Sequence, residues 1–358
     1  MGSRTGSLRP VTKDNFLTLA MVIAFYGVSA ILVSSGNASS LFKGLLVPIG
    51  YYIILAVSLN LTVGVLGELS LGHAGFMCIG AYVGGVFSIL TRDLISVWWL
   101  RFPIAMLLGG LAAGLVGMLI GIPILRLRGD YLAIVTLAFG EIIKKIAQNL
   151  YLSKDINGLH FSFAKSLDAS SLDSATRKDI LNGPMAVIGI PSDANLLVTV
   201  IMVVITLVVI MNLIDSRAGR AFMAIRDNRI AAESVGINLS KYKLIVFGVS
   251  AFFAGVAGTL FSHSNMIDPT KFDYNMSILI LVFVVLGGIG NIRGSVIAAA
   301  VLYALPEVLR DFQSYRMLMY AVILIAMMLL GNNEKFNAFK QKLSLRRLFG
   351  RRRAEKGV

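Results

Sequence analysis

Long uncharged apolar runs constrain this chain more than any other feature of its sequence. The run from Phe16 to Val33 contains 18 residues without a charged side chain, and several similar runs follow it. A helix needs about 20 apolar residues to cross a bilayer. Only 15% of all residues are charged, against about 25% in soluble domains. The sequence therefore predicts an all-α polytopic membrane protein, because a β-barrel would show alternating segments instead of solid runs.

About ten transmembrane or re-entrant helices are predicted from these runs. They are placed at about 16–33, 45–65, 70–90, 102–125, 131–150, 196–214, 243–262, 276–290, 294–309 and 317–330. The segments 276–290 and 294–309 are short, and four glycines lie between residues 287 and 294. One or both of these segments could be broken or re-entrant, which is tolerated where the backbone faces protein or water.

The distribution of basic residues predicts how the chain is oriented. Most of the net charge of +14 lies in three segments, residues 1–15, 215–243 and 331–358. Basic residues concentrated beside membrane spans indicate the cytoplasmic side and argue against a nucleic-acid partner. The sequence thus predicts a cytoplasmic N-terminus (1–15), a transmembrane domain (16–330) and a basic cytoplasmic tail (331–358) suited to anionic lipid. The polar stretch 151–195 is predicted to be an extracytoplasmic loop or small subdomain.

The polar segment 215–243 is too elaborate for a simple connection between two membrane spans. Two short helices are predicted in it, over about 218–226 and 229–235. Ser216 can cap the first, Asp227 or Asn228 can cap the second, and Gly236 can end it. The helices could lie on lipid or fit into a groove of another protein, and the alanine-rich sequence favours the groove. Their apolar contact residues are predicted to be Phe222, Met223, Ile225, Ile230 and Val235.

Polar and small residues within the apolar runs are candidates for a substrate route. An ionisable residue at membrane depth is a functional candidate, although a hydrogen bond between helices or contact with water at a helix end is the favoured explanation for each residue taken singly. An ion pair with Lys144 or Lys145 explains the carboxylate of Glu141 more simply than the alternative, a proton-coupling role. The candidate route residues are Asn60, Glu68, Gly72, His73, Thr136 and Glu141.

Pairs of small residues four positions apart predict close contacts between helices. Such contacts could slide during transport or could be static, and the pattern does not distinguish the two. The pairs are Gly80 and Gly84, Gly110 and Gly114, Gly117 and Gly121, and Ala251 and Gly255.

Patterns expected of an enzyme are absent from the sequence. There is no Gly-Lys dipeptide, and therefore no phosphate-binding loop of the common ATPase type. The sequence from Gly288 to Gly294 misses the dinucleotide-binding pattern by one position. His73, His160 and His263 lack metal-ligand spacing. The chain is therefore predicted to be no enzyme and to bind no metal or cofactor itself.

Four ordered blocks of sequence resemble the permease subunits of bacterial branched-chain amino acid ABC importers, in particular the LivM-like family. The resemblance covers about residues 50–330. The blocks are SLNLTVGVLGELSLGHAGFMCIGAY (58–82), LRLRGDYLAIVTLAFGEI (125–142), SRAGRAFMAIRDNRIAAESVGIN (216–238), and VVLGGIGNIRGSVIAA (284–299).

This resemblance implies an ABC importer permease fold in the bacterial cytoplasmic membrane, with both termini in the cytoplasm. It implies two ATPase subunits that bind ATP and Mg²⁺, a second permease subunit, and an extracytoplasmic binding protein that delivers leucine, isoleucine or valine. Relatives for urea or short amides leave the substrate open. In the family, the segment corresponding to 231–236 docks into an ATPase. The implied coupling residues are Arg226, Asp227, Ala231, Ala232, Glu233 and Gly236.

A different hypothesis follows from the ionisable residues alone. The chain could be an autonomous secondary transporter or channel in which Glu68, His73 or Glu141 titrates. Such a protein would need no ATPase partner.

Overall fold

The structure, a computed structural model, describes residues 10–36, 39–92, 94–95, 97–124, 127, 129–155, 158–163, 178–310 and 315–331. The chain divides into two compact units, Met1–Ala300 and Val301–Val358. Most described residues are helical. The helices are α1 (Pro10–Ser34), α2 (Ser40–Asn60), α3 (His73–Leu90), α4 (Trp98–Ile124), α5 (Asp130–Gln148), α6 (Leu196–Asp215), α7 (Arg217–Asp227), α8 (Arg229–Ser234), α9 (Leu239–Ser262), α10 (Tyr274–Gly287), α11 (Ile292–Val308) and α12 (Arg316–Gly331).

Six helical segments among the described residues are long and apolar enough to cross a membrane. They are Asn15–Ser34, Ser40–Leu66, His73–Leu90, Trp98–Ile124, Leu196–Asp215 and Leu239–Ser262. The helix α10 is apolar but has only 14 residues. A helix forms at each of the ten predicted places, yet the count of about ten membrane-crossing helices is not confirmed. The helix α5 carries Glu141, Lys144 and Lys145, and α11 and α12 have 17 and 16 residues.

The prediction of an all-α protein is wrong for the polar stretch after α5. Three antiparallel strands form there in the order β2-β1-β3, namely β1 (Leu150–Asp155), β2 (Gly158–Phe163) and β3 (Lys178–Asn182). The pairing of β1 with β3 is irregular between Leu152 and Ser153. Strands of five or six residues are stabilised by their ladder and by packing, so a search for long apolar runs does not detect them.

The helix α2 and its continuation form the centre of the larger unit. Every residue in the most apolar part of Ser40–Leu66 is buried inside the protein. Helices α6 and α9 pack against α2, whereas α3 and α4 pack against α9. The sheet precedes α6, and the helices α7 and α8 follow it. These two polar regions are therefore separated by the length of α6.

Small residues allow α3, α4 and α9 to approach one another closely, as the four-residue spacing predicts. A Cβ atom on Gly80 would meet the backbone of Gly255, and one on Gly117 would lie 2.5 Å from Cβ of Ala251. The hydroxyl of Thr259 donates a hydrogen bond of 2.9 Å to the Gly80 carbonyl across this contact. The structure therefore confirms the close contact, and sliding during transport stays a hypothesis.

A buried ion pair attaches the segment before α6 to the start of α4. Arg101 Nη2 lies 2.6 Å from Asp193 Oδ2, and the two side chains are only 5% and 14% exposed. A backbone bridge between Val187 and Ile267 ties the same segment to the connection after α9. At the other end, Asn15 donates a hydrogen bond of 2.6 Å to Asp215. The beginning of α1 and the end of α6 thus lie on one side of the helices.

Two predicted regions extend beyond the described residues. The helix α1 begins at Pro10, inside the predicted N-terminal segment 1–15. Residues 332–358 of the predicted basic tail lie outside the described part of the chain.

Candidate functional site

Polar caps shape the segment between α6 and α9 into two short helices. The hydroxyl of Ser216 accepts hydrogen bonds from the main-chain nitrogens of Ala218 and Gly219, and so caps α7. The side chain of Asn228 accepts from Ala231 N at 3.0 Å and caps α8. Gly236 follows α8 with a φ of +84°, a conformation that favours glycine. The two predicted helices and the glycine stop are therefore confirmed.

The helix α7 uses its apolar side to pack on the protein itself. Phe222 and Ile225 are buried, and the Phe222 ring meets the Tyr242 ring at the start of α9 with centroids 6.0 Å apart. Both residues were predicted to make apolar contacts, and they make these contacts with other residues of the same chain. They hold α7 against the membrane helices, so a displacement of α7 involves its neighbours too.

The helix α8 turns a different surface outwards. Ile230 and Val235 are 80% and 75% exposed. Ala231, Glu233 and Gly236 are also exposed, whereas Ala232 is buried and packs inwards. Apolar side chains at this level of exposure beside a small residue and a glycine leave a flat surface, which is suited to contact with another protein. We refer to Ile230, Ala231, Glu233, Val235 and Gly236 as the outer face of α8.

Arg226 points from the end of α7 towards the membrane helices. Its Nη1 atom donates a hydrogen bond of 3.1 Å to the carbonyl of Gly64, and its Nε and Nη2 atoms donate to the Asp227 carboxylate. Gly67 lies beneath the same side chain, since a Cβ on Gly67 would be 2.6 Å from Arg226 Cγ. Arg226 and Asp227, predicted as coupling residues beside the docking segment, are therefore placed between α7 and the end of α2.

A break in the helix lies where Arg226 makes this contact. The helix α2 continues as a π-helix over Leu61–Leu66 and stops at Gly67, whose φ is +79°. Residues 67–72 are not helical, and α3 begins only at His73. A single turn of π-helix is rare and is frequent at functional sites. The sequence predicted a gap between the spans 45–65 and 70–90, but not the π-helical form of this break.

Asn60 connects the break to the turn between α10 and α11. Its Oδ1 atom accepts from Gly290 N at 2.9 Å, and its Nδ2 atom donates to Ser295 Oγ at 2.8 Å. Asn60 and Ser295 are fully buried. Both ends of the amide group are therefore used within the protein, which is the interhelical role considered as the alternative to substrate contact.

Glu68 forms an ion pair with Lys243, which lies in the second turn of α9. The Lys243 side chain is 1% exposed and that of Glu68 is 15% exposed. A buried lysine requires such a partner, because an unpaired charge at this depth is costly. Three elements thus contact the broken segment at the end of α2. Arg226 connects it to α7, Asn60 connects it to the turn before α11, and Glu68 connects it to α9.

The remaining route candidates near the break also have partners in the chain. His73 Nε2 lies 2.9 Å from Ser58 Oγ, and His73 is buried. A Cβ on Gly72 would meet the carbonyl of Thr136, and the Thr136 hydroxyl accepts a hydrogen bond from Leu71 N at 3.0 Å. The structure brings these residues together as the packing of α2, α3 and α5. Their part in a substrate route stays a prediction.

Glu141 lies in the C-terminal half of α5, more than one turn beyond Thr136. Its Oε2 atom accepts from Lys144 at 2.9 Å, as predicted, and its Oε1 atom accepts from Tyr274 N at 3.0 Å. The second bond satisfies an otherwise unpaired nitrogen at the start of α10. No cluster of three His, Cys, Asp or Glu residues suited to a metal occurs in the part of the chain that the structure describes.

Several residues of this site escape sequence reasoning. Four residues bind the side chains of Asn60, Arg226 and Glu68, although none of the four is unusual at its position in the sequence. They are Gly64, Gly290, Ser295 and Lys243. Their partners are 162 to 235 residues away. The available indication was the glycines in the turns after α2, at 64 and 67, and after α10, between residues 287 and 294.

Comparison with known proteins gives a consistent set of relatives. A family model described as "Branched-chain amino acid transport system / permease component" matches residues 41–330. The high-affinity branched-chain amino acid transport system permease protein LivM of Salmonella typhimurium is 38% identical over 286 residues, which are 78% of this chain and 66% of that protein. LivM of Escherichia coli gives the same values. The chain therefore spans about two thirds of the length of these relatives.

Weaker relatives extend the comparison. LivH of Escherichia coli, named as a permease protein of the same transport system, is 23% identical over 308 residues, or 79% of this chain and 92% of LivH. The ribose import permease protein RbsC of Haemophilus influenzae is 30% identical over 127 residues, 33% of this chain and 39% of RbsC. No solved structure matches the chain.

Proposed function

Because the chain belongs to the family of branched-chain amino acid transport system permease components, we propose that it is the membrane permease of an ATP-driven importer for leucine, isoleucine and valine. The substrate class rests on the 38% identity to LivM. ATP and Mg²⁺ are bound and ATP is hydrolysed in separate ATPase subunits.

The observation that carries the mechanism is the pair of surfaces on α7 and α8. The outer face of α8 is exposed and chemically suited to a protein groove, whereas α7 is packed on the membrane helices through Phe222 and Ile225. A force applied to the outer face is transmitted to α7 and, through Arg226, to the broken end of α2. Ala231, Glu233 and Gly236 are the proposed docking residues, and Arg226 and Asp227 are the proposed link. Ala232, implied by the resemblance as a coupling residue, is buried and supports α8 from within.

The proposed cycle is alternating access. Closure of the ATPases on ATP moves α8 and α7, and the contacts of Arg226, Asn60 and Glu68 distribute this movement to α2, α9 and the turn before α11. A break in a helix can change its geometry at lower cost than a continuous helix, because its backbone hydrogen bonds are already interrupted. The transmembrane helices then open to the cytoplasm and release the amino acid.

The proposed partners are two ATPase subunits, a second permease and an extracytoplasmic binding protein. Similarity to both LivM and LivH supports a second permease of the same family, which would pair with this chain as a heterodimer. Membrane lipid surrounds the apolar helices, and anionic headgroups suit the basic C-terminal segment.

The proposed location is the bacterial cytoplasmic membrane. The segment 215–243 faces the cytoplasm together with both termini, and the sheet in 151–195 faces outwards. The contact between Asn15 and Asp215 supports the N-terminal part of this orientation, because it places the start of α1 beside the coupling segment. The surplus of arginine and lysine in residues 215–243 supports the same side.

Affinity purification of the tagged chain from a native-like bacterial host tests this proposal. We expect two ATPases, a second permease and a binding protein that selects leucine, isoleucine or valine among the co-purifying proteins. Uptake of radiolabelled leucine into proteoliposomes should require the assembled complex and ATP. Leucine uptake by the chain alone, driven by a proton or sodium gradient, would instead establish the secondary-transporter hypothesis.

A further inference from the structure

A groove of about 380 Å³ opens at the junction between α5 and the three-stranded sheet. It is lined by Glu141, Ile142, Lys145, Ile146, Asn149 and Phe163. The first five lie in the last two turns of α5 or directly after them, and Phe163 ends the edge strand β2. The sheet precedes α6 in the chain, whereas α7 and α8 follow α6. The groove therefore lies near the N-terminal end of α6, and α7 and α8 lie at its C-terminal end.

The lining of the groove combines one negative charge, one positive charge and an apolar wall. Glu141 and Lys145 are four residues apart on α5, which places them on one face of the helix. Ile142, Ile146 and Phe163 are 49%, 46% and 54% exposed around them. From this arrangement we infer that the groove binds a free zwitterionic amino acid with an aliphatic side chain. The inference rests on the proposed function and names a substrate site for it.

Each part of such a ligand has a matching group. The α-carboxylate faces the ammonium group of Lys145, the α-ammonium group faces the carboxylate of Glu141, and the branched side chain lies on Ile142, Ile146 and Phe163. Charge-assisted hydrogen bonds to the two charged groups fix the orientation of the ligand. Burial of the aliphatic chain against the apolar wall contributes selectivity for leucine, isoleucine and valine over small polar solutes.

The two charged groups have hydrogen-bonding capacity beyond their contacts in the protein. Glu141 accepts one bond from Lys144 and one from Tyr274 N, and an ionised carboxylate offers about four acceptor positions. Lys145 donates to Gln148 Oε1 at 3.0 Å, and an ammonium group has three donors. The existing contacts therefore hold the two side chains in place and leave acceptor positions on Glu141 and donors on Lys145 for a ligand.

The exposure of Lys145 also argues against lipid at this face. Lys145 is exposed and Glu141 is partly exposed on a helix of a membrane protein. A charged side chain within the hydrocarbon is costly and instead faces a water-filled cavity or a protein partner. A water-filled groove at the outer end of the helices is where a substrate released from an extracytoplasmic binding protein first meets the permease.

Protection of an introduced cysteine from a thiol reagent tests the inference in the whole complex. Cys78, the one native cysteine, is buried, so an Ile146→Cys variant reports on the groove. We expect millimolar leucine to slow the modification of Ile146→Cys several-fold. Leu159→Cys is the matched control, because Leu159 is 55% exposed on the same strand as Phe163 but does not line the groove. Leucine should leave its modification unchanged.

The ligand's charges are tested with analogues and with a second substitution. 4-Methylpentanoate lacks the ammonium group, 3-methylbutylamine lacks the carboxylate, and urea lacks both the charges and the aliphatic chain, so none of them should protect. Adding Lys145→Gln to Ile146→Cys should raise the half-protecting leucine concentration on the order of tenfold, because a charge-assisted hydrogen bond is lost. Lys145→Arg keeps the charge and should retain protection.

Three results would overturn the inference. They are modification that is indifferent to leucine, equal protection by urea, and a cysteine that stays unreactive in the complex with or without ligand, which would show that a partner subunit covers the groove. ATP-driven leucine uptake by the wild-type complex, measured in parallel, reports on the proposed function separately. Uptake without protection rejects this site alone, whereas protection without uptake rejects the transport proposal.

Discussion

Arg226 and Gly64 lie 162 residues apart in the chain and are joined by a hydrogen bond of 3.1 Å from the guanidinium to the main-chain carbonyl. This bond attaches the end of α7 to the π-helix in which α2 breaks. The outer face of α8 is therefore two steps from the transmembrane core, first along the chain to α7 and then through Arg226.

Replacing Arg226 should weaken the link between ATP hydrolysis and transport. We expect Arg226→Ala to reduce leucine uptake on the order of tenfold, because a hydrogen bond from a charged donor contributes about 1.5–3 kcal/mol. ATP hydrolysis by the complex should persist, since the outer face of α8 is unchanged. Arg220→Ala is the control, because Arg220 is exposed on the same helix. Equal losses of uptake in both variants would show that Arg226 has no special role.

Glu68 should stabilise the protein mainly because its carboxylate compensates the buried positive charge of Lys243. Removing one partner of a buried pair costs about 3–5 kcal/mol because the other charge stays uncompensated. We expect Glu68→Gln to lower the thermal unfolding temperature of the purified complex substantially. The double variant Glu68→Gln with Lys243→Met should recover most of this loss. A double variant less stable than Glu68→Gln would contradict this account.

Gly67 should be sensitive to any side chain for two separate reasons. Its φ of +79° is strained for other residues, and a Cβ would be 2.6 Å from Arg226 Cγ. Gly36 has a similar φ of +77° but open space around it. We expect Gly36→Ala to cost only the backbone strain of about 1–2 kcal/mol, and Gly67→Ala to lower both the unfolding temperature and leucine uptake further. Indistinguishable variants would mean that the contact with Arg226 yields freely.

The contact between α3 and α9 should tolerate no added methyl group. We expect Gly80→Ala to destabilise the protein by about 1–3 kcal/mol, as overpacking of a tight contact does, because its Cβ would meet the Gly255 backbone. Gly27→Ala is the matched helical control, since nothing lies within 4 Å of a Cβ there, and it should be neutral or slightly stabilising. Thermal unfolding followed by tryptophan fluorescence compares the two variants.

Local chemistry made part of this structure predictable from the sequence. Ser216 and Asn228 cap helices because their side chains reach nitrogens only two or three residues ahead, and Gly236 ends α8 because it tolerates a positive φ. Long apolar runs likewise predicted where most helices lie. These features depend on neighbours in the sequence, so the sequence contains the information that fixes them.

The long-range contacts were not predictable in the same way. Asn60 was recognised as polar within an apolar run, but its two partners are 230 and 235 residues away. Arg226 was expected beside a partner protein, yet its guanidinium faces Gly64 because α7 packs on the helices through Phe222. The small sheet was missed because the pairing of strands, rather than an apolar run, defines it.

We propose that the outer face of α8 is the contact through which ATPase subunits act on this chain. Its most direct test is the amount of ATPase that co-purifies with tagged wild-type chain and with Glu233→Arg and Gly236→Trp variants. We expect both variants to lose the ATPases and ATP-driven leucine uptake while they retain the second permease. Glu233→Arg should keep normal thermal stability, and Gly236→Trp should lose only the backbone strain of about 1–2 kcal/mol at its positive φ. Undiminished ATPase association together with normal uptake in both variants would contradict it.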